Sequence, residues 1–238
     1  MTWEDVLALA DITRTYGDVH ALRGVSLRVH RGEFVAVVGP SGSGKSTMLN
    51  VVGTLDRPSS GTVTIAGQDV GTMSDDALSA LRAQHIGFVF QHFHLQGGAT
   101  ATENVADGLL YTGTPRADRL ARAAAALVRV GLRHRVDHRP HQLSGGEKQR
   151  VAIARAIVGE PTVLLADEPT GALDTRAGSA ILGVLRELND SGTTVLVITH
   201  DLELAAALPR QVRMRDGVIE DDSCSDAAGT SAASGAGR

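Results

Sequence analysis

The chain has 238 residues, a formal net charge of −4 and only 3% aromatic residues. This length allows one large domain, or one domain with a subdomain, that buries a sizeable core. A nucleic-acid partner would need a strongly basic stripe or many stacking aromatics, so the composition predicts none. No apolar run reaches the roughly 20 residues of a membrane span. The single cysteine, Cys224, cannot form an intrachain disulfide, which fits a cytosolic protein.

The N-terminal third of the sequence predicts three strands and a helix. Val6–Thr15 and Ala21–His30 are apolar and β-branched, as is typical of strands. Phe34–Val38 is a short continuous apolar run and predicts a buried strand. The periodicity over Ser46–Leu55 then predicts a helix.

Between this buried strand and this helix stands a glycine-rich loop with the spacing of a nucleoside-triphosphate site. Its glycines let backbone N–H groups approach phosphate oxygens, Lys45 reaches the β- and γ-phosphates, and the Ser46 hydroxyl can ligate Mg²⁺. Lys45 and Lys148 are the only lysines of the chain. The predicted nucleotide-binding residues of the loop are Gly39, Pro40, Ser41, Gly42, Ser43, Gly44, Lys45, Ser46 and Thr47.

The next segments predict a strand over Gly61–Ala66, a short helix from Ser74 to about Arg82, and a buried strand over Ile86–Phe90. Gln91 follows this last strand. Its amide could contact Mg²⁺ and water together, or it could be an ordinary loop residue.

A mostly helical insert is predicted over about 91–159. Thr100 and Glu103 have the spacing of a capping box before a helix that runs to about Tyr111. Pro115–Val130 is alanine-rich and helical, with Gly131 as its stop.

The insert also contains a second candidate anion site, Leu143-Ser144-Gly145-Gly146-Glu147. Ser144 and Glu147 form another capping-box pattern, and the apolar periodicity of a helix follows over Val151–Val158. The two glycines allow close approach of a ligand, and a helix N-terminus favours negative charge. Two separate phosphate-binding helix starts suggest a nucleotide shared between them.

Two adjacent acids, Asp167 and Glu168, follow the predicted buried strand Val163–Ala166. Asp167 could hold Mg²⁺ directly or through water, and Glu168 could polarise the attacking water as a general base. His200 follows another predicted strand, Thr193–Thr199, and should emerge at the same sheet edge. There it could donate to the γ-phosphate or orient the water, or it could simply precede the Asp201 helix cap.

The remaining pattern completes an α/β chain. Helices are predicted over about Thr175–Asn189 and Leu202–Leu208, and a strand over Val212–Met214. Strands that alternate with helices predict a doubly wound α/β core. From Asp221 on, small and polar residues without periodicity predict a disordered tail.

In this ordered set of motifs, from about Leu7 to Ile219, the chain resembles the ATP-binding subunit of an ATP-binding-cassette (ABC) transporter. The resemblance implies a P-loop NTPase fold, with an ABC ATPase core, an antiparallel β subdomain and the helical insert. The expected organisation is a single ABC ATP-binding domain over 1–220 and a disordered tail over 221–238. The chain is then expected to be an ATPase whose cofactors are ATP and Mg²⁺, with Ser46, Gln91 and Asp167 at the metal.

The resemblance also implies a dimer in which two ATP molecules lie between each phosphate loop and the partner's Ser144–Gly146. Tyr16 occupies the position of an adenine-stacking aromatic, although it could be a plain packed tyrosine. Asp174 matches a residue that crosses the dimer, although it could equally be only the N-cap of the following helix.

Finer motifs, such as Leu55-Asp56-Arg57-Pro58 and Thr102-Glu103-Asn104-Val105, are similar to the macrolide-export and lipoprotein-release group. That similarity implies a separate membrane permease as partner, which the chain would power for export, lipoprotein release or mechanotransmission. It also implies a cytoplasmic location at the inner face of the membrane. The surface after Gln91, with Phe93 and Leu95, is the predicted docking site, unless both side chains fill the core of the insert. The chain departs from the group at Gln96-Gly97-Gly98, so the motifs do not identify the permease.

Three alternative functions share parts of this sequence pattern. The nearest is the ATPase subunit of an importer. A soluble ABC ATPase that acts on DNA or ribosomes would usually carry two cassettes or a long coiled coil, and neither is seen. A degenerate cassette that only binds nucleotide would be expected to lack Lys45, Asp167, Glu168 or His200, and all four are present.

Overall fold

The computed structural model describes residues 4–223. The strands are β1 (Asp5–Tyr16), β2 (Val19–His30), β3 (Phe34–Val38), β4 (Ser60–Ile65), β5 (Gln68–Asp69), β6 (Ile86–Val89), β7 (Val163–Asp167), β8 (Thr194–Thr199), β9 (Arg210–Arg215) and β10 (Val218–Asp222). The α-helices are α1 (Lys45–Val52), α2 (Asp75–His85), α3 (Ala101–Ala106), α4 (Arg116–Arg129), α5 (Gly145–Ile157), α6 (Thr175–Asp190) and α7 (Leu202–Ala206). Short 3₁₀ helices cover Val70–Thr72, Asp107–Leu109, Arg133–Arg135 and Pro140–Gln142.

The strands form two sheets. An antiparallel sheet has the order β2-β1-β4-β5, and the central sheet has the order β10-β9-β3-β8-β7-β6. In the central sheet β9, β3, β8, β7 and β6 run parallel, and only β10 pairs antiparallel. The structure is therefore a mixed α/β core with an antiparallel β subdomain, the architecture that the resemblance implies.

The register of the central sheet brings the carboxyl ends of its strands together. Val38 of β3 is aligned with Thr199 of β8, and Ile198 of β8 is aligned with Asp167 of β7. The residues that follow these strands, Gly39, His200 and Glu168, therefore emerge at one edge of the sheet. Ligands of open parallel sheets bind at this edge.

Strand alternation divides the core of the protein into two layers. On one face, Ala36 of β3 and Val197 of β8 pack with helices of the insert and with α6. On the other face, Val35 and Leu196 pack with α1, α2 and the antiparallel sheet. Helices cover both faces, as a doubly wound core requires, and the antiparallel sheet shares one face with α1 and α2.

The helical insert consists mainly of α3, α4 and α5. Its apolar side chains belong to the same buried cluster as the central sheet, because Val105, Leu127 and Ile153 pack in one cluster with Ala36. The insert is thus anchored on the core that also carries the phosphate loop.

Several predicted boundaries differ from the structure. The helix predicted to end near Arg82 continues to His85, and the one predicted to reach Tyr111 ends at Ala106 and continues as a 3₁₀ turn. β10 was not predicted, and the disordered tail was placed too early at Asp221. Asp222 lies in β10 and accepts a bidentate pair of hydrogen bonds from Arg210, which accounts for the order. The rest of the predicted tail, with Cys224, lies outside the described residues.

Within residues 4–223, no helix has both the length and the apolar character that crossing a membrane requires.

Candidate functional site

The loop over residues 39–47 links β3 to α1 and turns tightly against the rest of the protein. A Cβ atom on Gly44, whose φ is 98°, would lie 2.6 Å from the carbonyl oxygen of Ala21. A Cβ atom on Gly39 would lie 2.2 Å from the carbonyl oxygen of Met214. Both positions exclude any side chain, so the glycine spacing is a steric requirement of this loop.

The loop opens onto a cleft of about 780 Å³, a size that suits a small-molecule ligand such as a nucleotide. Half of the lining residues are predicted ones, which are Ser41, Gly42, Gly44, Lys45, Ser46, Thr47 and Glu168. The other half were not predicted, and these are Val19, His20, Ala21, Arg23, Ile198, Asp216 and Gly217. The β1–β2 and β9–β10 hairpins therefore complete a cleft of which the sequence indicated only half.

Lys45 is held at the floor of the loop. Its Nζ atom donates to the carbonyl oxygens of Gly39 and Pro40 at 2.8 and 2.9 Å. Burial lowers the pKa of the Lys45 ammonium, and the carboxylates of Glu168 and Asp167 oppose that shift. The cation therefore lies within electrostatic range of both predicted acids.

Glu168 has a positive φ, and both oxygen atoms of its side chain accept hydrogen bonds. Its φ of 46° places it in the left-handed region, as for six other non-glycine residues among those described. Its Oε1 atom accepts from Nδ1 of His200 at 2.7 Å and from the backbone N–H of His200 at 2.9 Å. Its Oε2 atom accepts from the Thr199 hydroxyl at 3.1 Å. The structure thus brings the two predicted catalytic groups of β7 and β8 into direct contact.

Asp167 and Ser46 both carry oxygen atoms of the type that Mg²⁺ prefers, although Asp167 is not among the residues that line the cleft. Burial, followed by repulsion from Glu168, raises the pKa of Asp167, and the Lys45 ammonium partly offsets this. A bound cation would relieve the same penalty, because it stabilises the carboxylate form. The exposed Ser46 hydroxyl, in the first turn of α1, adds an oxygen of the type that Mg²⁺ prefers.

Gln91 is exposed at the end of the β6 segment and does not line the cleft. Its amide nitrogen lies 3.0 Å from the Cβ position of Gly171, so the side chain lies against the turn that follows Glu168. Its predicted contacts with Mg²⁺ and water stay predictions.

Tyr16 also lies outside the lining of the cleft, with 44% of the residue exposed. Its hydroxyl donates to the Asp56 carboxylate, and the Arg14 guanidinium lies 4.4 Å from the ring centroid. The ring is thus held by a hydrogen bond at its hydroxyl and by a cation over its face. The predicted adenine contact stays a prediction.

The second anion site has the predicted capping box. The Ser144 hydroxyl accepts from the Glu147 N–H at 3.2 Å, and the Glu147 carboxylate accepts from the Ser144 N–H at 2.8 Å. The Ser144 N–H bond holds the pKa of Glu147 below its usual range, and Arg135, which donates to the same carboxylate at 2.8 Å, adds to this. A charged cap at N3 also favours the helix start.

This helix start does not open onto the cleft. Ser144 and Gly145 are exposed, and they are not among the residues that line it. Gly145 and Gly146 instead approach Leu173 and Ala177 at the beginning of α6. Asp174 lies between those two residues in sequence, and its carboxylate caps α6 by accepting from the Ala177 N–H at 2.8 Å. The N-cap interpretation of Asp174 is confirmed, and its predicted contact across a dimer stays a prediction.

Two buried polar residues near the site were missed. Thr199 donates to Glu168 and accepts from the Asp201 N–H at 3.0 Å. Gln149 lies on the buried face of α5, one turn before Ile153. The available signal was a glutamine in phase with the apolar residues of a helix.

Comparison with known proteins identifies a family that covers more than half of the chain. Residues 22–171 match the family model described as ABC transporter. The chain is 50% identical to the pyoverdine export ATP-binding/permease protein PvdT of Pseudomonas putida, over 93% of this chain and 35% of the relative. It is 51% identical to the macrolide export ATP-binding/permease protein MacB of Nitrobacter winogradskyi, over 93% of this chain and 35% of the relative. The chain thus spans about a third of the length of these relatives.

Solved structures agree with this assignment. The ATP-binding cassette MJ0796, described as a dimer in a post-hydrolysis state bound to ADP and Pi, superimposes with a TM-score of 0.82 at 43% identity, over 91% of this chain and 97% of that one. The cbiO1 protein of Clostridium perfringens, described as part of the ABC transporter complex cbiONQ, superimposes with a TM-score of 0.84 at 32% identity, over 92% of this chain and 88% of that one.

Proposed function

Because this chain belongs to the ABC transporter family and is an ABC ATPase domain, we propose that two such cassettes close around ATP and drive export through a membrane permease. The relatives at about 50% identity are named export ATP-binding/permease proteins, which favours export over import for the assembled machine. We also propose that residues 1–220 form the single ATP-binding domain, with a helical subdomain over about 91–159.

The observation that carries the proposed chemistry is the position of Glu168 in the cleft, with one carboxylate oxygen accepting two hydrogen bonds from His200. The triphosphate would lie on the loop over residues 39–47, with Lys45 at its β- and γ-phosphates. Ser46 and Asp167 would hold Mg²⁺, which neutralises phosphate charge when bound. Glu168 would then accept a proton from the attacking water, and His200 would keep that carboxylate in place.

A single chain does not bring both anion sites into one cleft, which supports a composite site. Ser144 and Gly145 are exposed and Gly146 is partly buried, and the two glycines lie beside the start of α6. In a head-to-tail dimer this surface would close over the partner's cleft, and Asp174 would lie at the same interface. The dimeric description of the MJ0796 cassette supports this arrangement, either as a homodimer or as a pair of cassettes.

The permease would dock on the insert surface that follows Gln91. Arg155 fixes this segment by donating to the carbonyl oxygens of Phe93 and His94 at 2.9 and 2.7 Å. A segment fixed beside the turn after Glu168 could report the state of the cleft to a partner. The cassette would thereby work at the cytoplasmic face of the membrane, with no nucleic-acid partner.

The substitution Glu168→Gln tests this proposal. It should leave ATP binding intact and slow hydrolysis by about 10²–10⁴-fold, the size of a lost general base. Because uncleaved ATP would hold two cassettes together, the variant should elute as a dimer with ATP and as a monomer without it. Glu187→Gln, an exposed acid on α6, is the matched control and should behave as wild type. Normal hydrolysis by Glu168→Gln, or no dimer at high protein concentration, would contradict the proposal.

A further inference from the structure

Gln149 is the polar residue of α5 that is most completely removed from solvent, with 0% exposure. It lies in the second turn of the helix that begins at Ser144. Its amide nitrogen donates to two backbone carbonyl oxygens, that of Pro169 at 2.8 Å and that of Phe90 at 3.3 Å. One side chain therefore joins α5 to two other segments.

Both acceptors are direct neighbours of the proposed catalytic residues. Pro169 follows Glu168, and Phe90 precedes Gln91. The two segments also approach each other, because the Gln91 amide lies against Gly171 in the same turn as Pro169. The amide of Gln149 therefore links the backbones of the two segments that meet in this contact.

The orientation of the Gln149 amide is fixed by its surroundings. Both acceptors are carbonyl oxygens, so only the NH₂ end can face them, since a rotated amide would place its own oxygen there. Its Oε1 atom is buried and has no hydrogen-bond partner among the described residues. A buried oxygen without a hydrogen-bond partner destabilises the folded protein. The two hydrogen bonds that the amide nitrogen donates offset this destabilisation.

We propose that Gln149 is a positioning residue for ATP hydrolysis: it fixes the turn after Glu168 relative to the segment before Gln91, and links both to the helix that starts at Ser144. The inference rests on the proposed role of Glu168. Glu168 is the first residue of this turn, because the Gly171 N–H donates to its carbonyl oxygen at 3.0 Å. A shift of the turn would therefore move the backbone from which the carboxylate projects. A movement of the start of α5 would reach this turn through the Gln149 amide.

The substitution Gln149→Met removes both donated bonds and keeps the length of the side chain. Asn104→Leu is the matched control. Asn104 is also buried, and its amide donates to the Gln96 and Thr100 carbonyl oxygens within the insert, away from Glu168. Melting temperature, ATP affinity and kcat should be measured for both variants. The kcat is expressed per nucleotide-binding site, because unfolded protein would otherwise lower its apparent value.

We expect Gln149→Met to lower kcat about ten- to hundredfold, as small misplacements of a catalytic group do, with ATP affinity changed less than about threefold. Asn104→Leu should lower the melting temperature and leave kcat within about threefold of wild type. An unchanged kcat in Gln149→Met, or an equal loss in the control, would overturn the inference.

The double variant Gln149→Met/Glu168→Gln separates this inference from the proposed function. If Gln149 acts through Glu168, adding Gln149→Met to the Glu168→Gln variant should lower its residual rate less than about threefold. A full multiplication of the two losses would show an independent role and overturn the positioning assignment. Normal hydrolysis by Glu168→Gln alone would instead contradict the proposed function.

Discussion

The Nδ1 atom of His200 lies 2.7 Å from the Oε1 atom of Glu168, and the backbone N–H of His200 donates to the same oxygen at 2.9 Å. The two residues are 32 positions apart in sequence. They meet because β7 and β8 are parallel neighbours whose carboxyl ends are in register. One oxygen of the carboxylate is thereby fixed by both the backbone and the ring of a single residue.

His200→Ala should therefore lower kcat more than it weakens ATP binding. The variant keeps the backbone donor and loses the ring donor, so the carboxylate remains in the cleft with less restraint. We expect a fall of about ten- to hundredfold in kcat and a small change in KM. Steady-state ATPase assays measure both parameters. His134→Ala, an exposed histidine of the insert, is the control, and a His200→Ala enzyme with unchanged kcat would contradict the proposed role.

Lys45→Ala and Ser144→Arg should each abolish ATPase activity for different reasons. Lys45→Ala removes the cation of the phosphate loop, so nucleotide binding by the single chain should be lost. Ser144→Arg changes a residue outside the chain's own cleft, so binding by the single chain should persist.

Mixing these two inactive variants tests the composite site. A mixed dimer holds both lesions in one site and leaves the other site intact. With random pairing, about a quarter of the wild-type activity should return. Fluorescence transfer between labelled chains would show that mixed dimers form, and no activity in their presence would argue against complementary sites.

Asp167→Asn should stabilise the protein without nucleotide and weaken its response to Mg²⁺. The folded-state pKa of Asp167 is raised above its ordinary value of 3.8, mainly by burial. For a carboxyl group with a raised pKa, the contribution to folding stability is fully present below the unfolded-state pKa. It is lost as the pH rises through the folded-state pKa. At neutral pH the ionised Asp167 carboxylate thus lowers the free energy of unfolding, and solvent screening keeps this effect small.

Thermal unfolding measures both effects. Without nucleotide, Asp167→Asn should melt roughly 2 °C above wild type at pH 7, and this difference should shrink as the pH falls toward 3.8, the ordinary pKa of the group. With ATP, added Mg²⁺ should raise the melting temperature of wild type more than that of the variant. A variant that melts below wild type at pH 7 would contradict the electrostatic argument.

Phe93→Asp should give a folded ATPase that no longer associates with its permease. Phe93 is only half-buried and is absent from the buried clusters and from the apolar side chains packed against them, whereas Leu95 packs against the larger one. Leu95→Asp should therefore destabilise the protein, which follows the core alternative for that residue. The two substitutions therefore distinguish a role in permease docking from a role in core packing.

Co-purification with the co-expressed permease from solubilised membranes, together with basal ATPase, measures this effect. Leu55→Asp is the control, because Leu55 is a half-exposed apolar side chain at the end of α1, outside the insert. Wild-type recovery of the permease with Phe93→Asp would show that the docking surface lies elsewhere.

Much of the site could be read from the sequence because its signals are local. The loop over residues 39–47 is recognisable because backbone approach requires Gly39 and Gly44, and no other residue fits. The capping box at Ser144 is a contact between residues three positions apart. The acids after β7 follow a continuous apolar run, which is the signature of a strand buried on both faces. Each of these features depends on sterics or hydrogen bonds within a few residues.

Other features depended on contacts between distant segments, which local propensity does not specify. The wall of the cleft formed by Val19 and Arg23 exists because the antiparallel sheet packs against the same face as α1. The order of β10 depends on the pair between Arg210 and Asp222, so the small polar composition after Asp221 was a misleading signal.

The sequence by itself determined the nucleotide loop, the acids after β7 and the family, because each is encoded by residue types at short fixed spacings. Only the tertiary structure decided that Glu168 is held by His200 and Thr199, that Ser144 does not line its own cleft, and that Gln149 links the turn after Glu168 to the segment before Gln91. Those relationships follow from strand register and from the packing of α5, which are set by the burial of the whole core and not by any local pattern.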